Sequence, residues 1–79
     1  MPLQVILERV DPSTNVARYC VLSIMPTLFA RNTLIRHWGR IGSGGRERLQ
    51  LFEDNAGAEI ALETWLARKR RRGYVVRGP

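Results

Sequence analysis

A chain of 79 residues, 44% hydrophobic and 25% charged, is sized for one folded domain, expected to span 1–79, with little room for a catalytic cavity. Its formal net charge of +6 exceeds what solubility requires and favours a polyanionic partner. The single Cys20 excludes an intrachain disulfide and, with one histidine, a zinc site; no run reaches the ~20 apolar residues of a membrane span and no secretory signal is evident, so a cytoplasmic protein without cofactor is expected.

Residues Leu3 to Val10 are rich in branched side chains and read as a strand. Asp11-Pro12-Ser13-Thr14-Asn15 is a concentrated turn signal, and Ala17 to Met25 reads as a second strand stopped by Pro26. Neither strand shows which face is buried, because both parities carry apolar residues. Thr27 to Thr33 is expected to be an irregular connection.

Leu34 to Ile41 predicts a third strand with an uneven split. Ile35, His37, Gly39 and Ile41 share one parity; Leu34, Arg36, Trp38 and Arg40 share the other. Two unpaired guanidiniums on a buried face are costly, so the first set is expected to face the core, with His37 a structural histidine. Trp38 is then exposed between two arginines. Gly42-Ser43-Gly44-Gly45 predicts a hairpin connection; it lacks the Lys-Ser/Thr of a phosphate-binding loop. Arg46 to Glu53 returns as a strand with Leu49 and Leu51 inward and Arg46, Arg48 and Gln50 opposite, an alternation that Phe52 breaks.

Asn55 is the expected cap of a helix whose stripe Ala58, Ala61, Leu62, Trp65 and Leu66 packs on the sheet. Arg68 through Arg72 fill its last turns, Gly73 stops it, and Tyr74-Val75-Val76 adds a short strand. The predicted class is α+β: a small antiparallel sheet of about five strands with one helix against it.

Charge is unevenly distributed. Residues 1–30 balance to zero, while 31–79 hold eleven cations against five acids, so a polyanion site is expected to draw on the second half. Twelve of the thirteen cations are arginine, whose planar fork suits phosphate and stacks on bases. Arg36, Trp38, Arg40, Arg46 and Arg48 on one strand face, with Lys69 at the helix end, are the candidate nucleic-acid-binding residues. Without an apparent recognition helix, low sequence specificity is expected. No nucleophile or acid–base pair stands at a recognisable spacing, so neither an enzyme nor a small-molecule substrate is expected.

Asn15-x-x-Arg18-Tyr19, Trp38-Gly39-Arg40-Ile41-Gly42, Gly45, Ala58, Lys69 and Gly73-Tyr74 together resemble the WGR domain family, from about Leu3 to Val76. The likeness rests on the tripeptide's place in a strand before a glycine hairpin, followed by a helix ending Lys-x-x-x-Gly-Tyr. Domains of this family occur in small bacterial proteins and beside the catalytic region of some poly(ADP-ribose) polymerases. There they contact DNA near a strand break, with the motif tryptophan against the terminal nucleotide. The resemblance implies that Trp38 stacks on a nucleotide and that Arg40 contacts phosphate or a partner domain. Arg46 departs from the glutamine frequent at that position. The catalytic domain and zinc fingers of those polymerases are absent, so no ADP-ribosylation is expected. The alternative reading is a protein-interaction module whose arginines dock an acidic partner; a membrane surface is disfavoured because the fold consumes the apolar stripe.

Overall fold

The computed structural model describes residues 3–78; the expected domain span also takes in residues 1, 2 and 79, which lie outside the described residues. Five antiparallel strands, β1 (Leu3–Asp11), β2 (Val16–Met25), β3 (Asn32–Arg40), β4 (Arg46–Phe52) and β5 (Val75–Gly78), form one sheet in the order β4-β3-β2-β1-β5. One helix, α1 (Asn55–Arg71), packs across β2 and β3 and against β4. The α+β architecture expected from the sequence is the one observed.

Local chemistry accounts for the turns. Asp11 accepts hydrogen bonds from the Ser13 amide and hydroxyl, setting a short 3-10 turn over Pro12–Thr14, and Asn15 closes it in the left-handed region at φ 55. The Ser13 hydroxyl is the main cause of a lowered Asp11 pKa. The helix is capped by Asp54, whose carboxylate accepts the Gly57 amide at 2.8 Å. This corrects the expected Asn55, which is already helical and donates to Glu59 instead. At the other end the Gly73 amide donates to Arg70 and the Tyr74 amide to Lys69, with Gly73 at φ 94. That paired closure needs a left-handed residue, which is why glycine stands there.

The core lies between α1 and one face of the sheet. Leu7, Cys20, Leu22, Ile24 and Leu34 meet Ala58 and Leu62, with Ala61, Trp65 and Leu66 partly buried around them. The stripe read from the sequence is therefore the packed one. The face assignment of β3 is not. Leu34 is 0% exposed, so Leu34, Arg36, Trp38 and Arg40 point to the helix, while Ile35, His37 and Gly39 point away. Leu49 and Leu51, expected inward, lie on the open face at 44% and 52% exposure.

Aromatic rings make the core side of β3 tolerable for an arginine. The Arg36 guanidinium lies 3.8 Å from the Trp65 ring centre and 5.4 Å from that of Trp38. Aromatic faces receive the cation, so Arg36 sits half-buried beside the core without a carboxylate. On β4, Arg46, Arg48 and Gln50 do share the helix-facing parity, yet they remain exposed at the sheet edge. Only Phe52, beside Gly57 in the first helical turn, reaches the core on that strand.

Candidate functional site

Moving along the helix-covered face toward the end of α1, the side chains change from aliphatic to cationic. Leu34 opposes Ile24; the next row pairs Arg36 with Leu22, then Trp38 with Cys20, and finally Arg40 with Arg18, which itself opposes Arg9. Neighbouring strands lie about 4.8 Å apart, so the last row sets three guanidinium-bearing residues side by side across β1, β2 and β3. The helix ends over this row and contributes Lys69 and Arg72.

These residues surround a cavity of about 550 Å³. Its cations are Arg9, Arg18, Arg40, Arg46, Lys69 and Arg72; Trp38 and Tyr74 supply aromatic surface, and no carboxylate lines it. Among the described residues the one ion pair is Arg77 with Glu8, at 3.4 Å on the opposite face, so none of the six is neutralised by an acid. Like charges gathered this closely repel one another, and an anion entering the cavity relieves that repulsion.

Each part of the site is held by its surroundings. Arg40 donates to the Asn15 side-chain oxygen at 3.3 Å and to its carbonyl at 3.5 Å, tying the β3 terminus to the β1–β2 turn. Lys69 lies 5.0 Å from the Tyr74 ring centre, and Tyr74 is buried. Trp38 is half-buried and packs against the core, backed by Arg36, which also contacts Trp65; Arg68 covers Trp65 from 5.1 Å. The expected free indole is thus one wall of a cavity.

Gly39 turns to the open face, not to the core. There the Tyr19 hydroxyl donates to the Gly44 carbonyl at 3.3 Å, and His37 Nε2 donates to the same oxygen at 2.8 Å, with the two rings edge-to-face. The hairpin folds back so closely that a Cβ on Gly39 would sit 2.7 Å from the Gly45 Cα, and one on Gly45 would strike the Tyr19 hydroxyl and the Trp38 carbonyl. The glycine between Trp38 and Arg40 therefore makes room for the hairpin while its neighbours project into the cavity from the other face.

Of the six residues singled out from the sequence, Trp38, Arg40, Arg46 and Lys69 line the cavity together. Arg36 stands behind Trp38, and Arg48 lies beside Arg36 on β4, exposed and away from the cavity. Arg9, Arg18, Arg72 and Tyr74 were missed. Two of these, Arg9 and Arg18, come from the first thirty residues, so the cavity draws on both halves of the chain and not on the second half alone. The pairing follows from the turn: with Pro12 to Asn15 as the connection, Asp11 opposes Val16, and counting outward places Arg9 opposite Arg18.

The WGR domain family matches residues 3–79. The chain belongs to the WGR domain family. The uncharacterized protein y4dW of Sinorhizobium fredii (strain NBRC 101917 / NGR234) is 42% identical over 73 residues, which are 92% of this chain and 36% of that protein. A crystal structure of a Bacteroides fragilis protein superposes with a TM-score of 0.77 at 20% identity, over 94% of this chain and 19% of that one. That second likeness concerns the fold alone. This WGR domain thus spans about a third of the length of the first protein and about a fifth of the second. Among the described residues, no helix is long and apolar enough to cross a membrane.

Proposed function

We propose that this WGR domain is a non-catalytic, cytoplasmic nucleic-acid-binding module, with DNA favoured, that takes a strand end or unstacked nucleotide with low sequence specificity. The observation that carries the reading is the convergence of six unneutralised cations with Trp38 and Tyr74 around one cavity. Guanidiniums match phosphate oxygens, and an aromatic wall accepts a sugar or base face, whatever the base. A concavity favours a terminal nucleotide, because the bases inside a duplex are held in their stack. The helix spends its apolar stripe on the sheet, so it is not presented as a major-groove reader. Family membership supports the same reading.

Binding is tested by fluorescence anisotropy with short single-stranded, nicked and blunt duplex DNA across a salt series. With ~4–6 phosphate contacts the plot of log affinity against log salt has a slope of roughly −3 to −5. Arg18→Gln should reduce that slope by about one contact's worth, and Arg48→Gln, outside the cavity, should change it less. No binding to any of the three DNAs at low salt would refute the proposal.

A further inference from the structure

The open face of the sheet has a different character from the helix-covered face. Its strand positions include the apolar Ile6, Val21, Ile35, Leu49 and Leu51, interspersed with polar residues such as Gln4, Ser23 and His37. The only arginine among them is Arg77, which is paired with Glu8; Glu47 lies at the margin. An antiparallel sheet face left to water ordinarily carries polar residues, and the departure here is concentrated at Leu49 and Leu51 on β4, at 44% and 52% exposure. Here the connection from β2 to β3 adds to the apolar surface. Its Ala30 carbonyl accepts the Thr33 hydroxyl at 3.0 Å, and the Thr27 hydroxyl lies 3.0 Å from that of Thr33, so the loop closes over the open face at Thr33. From this loop Leu28 and Phe29 project at 101% and 74% exposure.

We infer that the open face is a self-association surface, on which a second copy of this chain packs sheet to sheet. Two arguments select that occupant. The first is area: Leu28, Phe29, Leu49 and Leu51 together expose on the order of 500 Å² per copy, so a symmetric pair reaches roughly the 1,000 Å² floor of a specific interface before Ile6, Val21 and Ile35 are counted. The second is charge. Chains carrying +6 each repel, and the open face is the one through which they can meet with the cationic cavities pointing outward. Facing sheets pack about 10 Å apart with interdigitated branched side chains, which this surface supplies. The pair would be two-headed, presenting one cationic cavity on each outer face. The inference stands apart from the nucleic-acid reading because it uses the opposite face.

The test is sedimentation of the 79-residue chain without nucleic acid, from about 1 to 500 µM protein, a range chosen for micromolar-to-weaker association. The expected mass rises from 9.0 kDa toward twice that value with concentration. Association should strengthen with added salt, which screens the net repulsion and leaves apolar contact intact, whereas DNA binding should weaken. The double variant Leu49→Glu/Leu51→Glu changes two exposed side chains, so it should keep the wild-type melting curve and remain at 9.0 kDa throughout. Phe29→Ser should shift the association midpoint to higher concentration. A wild-type chain that stays monomeric at every concentration and salt overturns the inference. So does association that weakens with salt, or a double variant that pairs as well as the wild type.

Discussion

The two ends of the helix-covered sheet face are built on the same strands yet answer to different demands. At the Leu34 end, aliphatic side chains are sealed under the first turns of α1, and stability comes from area removed from water. At the Arg18 end the same strand positions carry cations, the helix supplies Lys69 and Arg72, and the face opens into a cavity. Trp38 stands at the border, packed on the core on one side and lining the cavity on the other. The contrast shows how a small domain can separate the residues that fold it from those that line its cationic cavity without a second layer of structure.

The largest effect should come from the sealed end. Leu34→Ala leaves a cavity in the core and should cost about 2–5 kcal/mol of unfolding free energy, read by urea denaturation, while the remaining folded protein keeps its DNA affinity. If affinity of the folded fraction fell in parallel, the two ends would not be separable. Trp38→Ala attacks the border and should lose about 1–3 kcal/mol of binding, roughly 5- to 150-fold, with some loss of stability as well. Affinity unchanged in that variant would remove the indole from the binding surface.

A smaller effect belongs to the stack that joins the two regions. Arg36→Met keeps an unbranched stem but removes the charge between Trp65 and Trp38, and should cost about 0.5–2 kcal/mol of stability. Both indoles should also change emission, since Trp38 and Trp65 are the two tryptophans of the chain. Unaltered emission and melting would mean that the rings and the guanidinium are merely neighbours.

The smallest effect concerns Cys20, under the same border. Burial pushes its thiol above the ordinary value of 9.0, while Lys69 and Arg36 pull it the other way. A raised folded value keeps the thiol neutral, so the contribution is intact below about pH 9 and is lost as pH rises through the folded value. The native protein at pH 8 should react with iodoacetamide on the order of tenfold more slowly than the denatured chain. Equal rates would show that the core end opens readily.

Turn chemistry and helical periodicity made much of the fold legible. The strands, the hairpin glycines, the packed stripe of α1 and its stop at Gly73 could all be read from residue order. The buried side of β3 could not, because a single parity mixes Leu34 and Trp38 with two arginines. Arginine is a poor marker of exposure when indoles stand ready to cover it. The edge strand misled in the opposite sense. Arg46, Arg48 and Gln50 look outward-facing because they remain exposed, although they share the parity of Phe52, which is packed. Leu34 and Trp38 on β3 and Phe52 on β4, the apolar residues on the nominally polar parities, were the clues to the true face. Two of the six cations of the cavity were hidden for another reason: Arg9 and Arg18 are brought to Arg40 by strand pairing, which local spacing does not display.

The order of the strands also constrains how the domain is made. β1 is flanked by β2 on one side and by β5 on the other, so its outer edge stays unpaired until Val75 and Val76 have been synthesised and can dock against Glu8 and Leu7. Tyr74, on the short link into β5, closes the cationic cavity at the same moment. A ribosome-bound intermediate can assemble the four-stranded meander and the helix, but it carries an open edge and an incomplete cavity. The last pairing therefore times both the protection of the sheet and the completion of the cationic cavity.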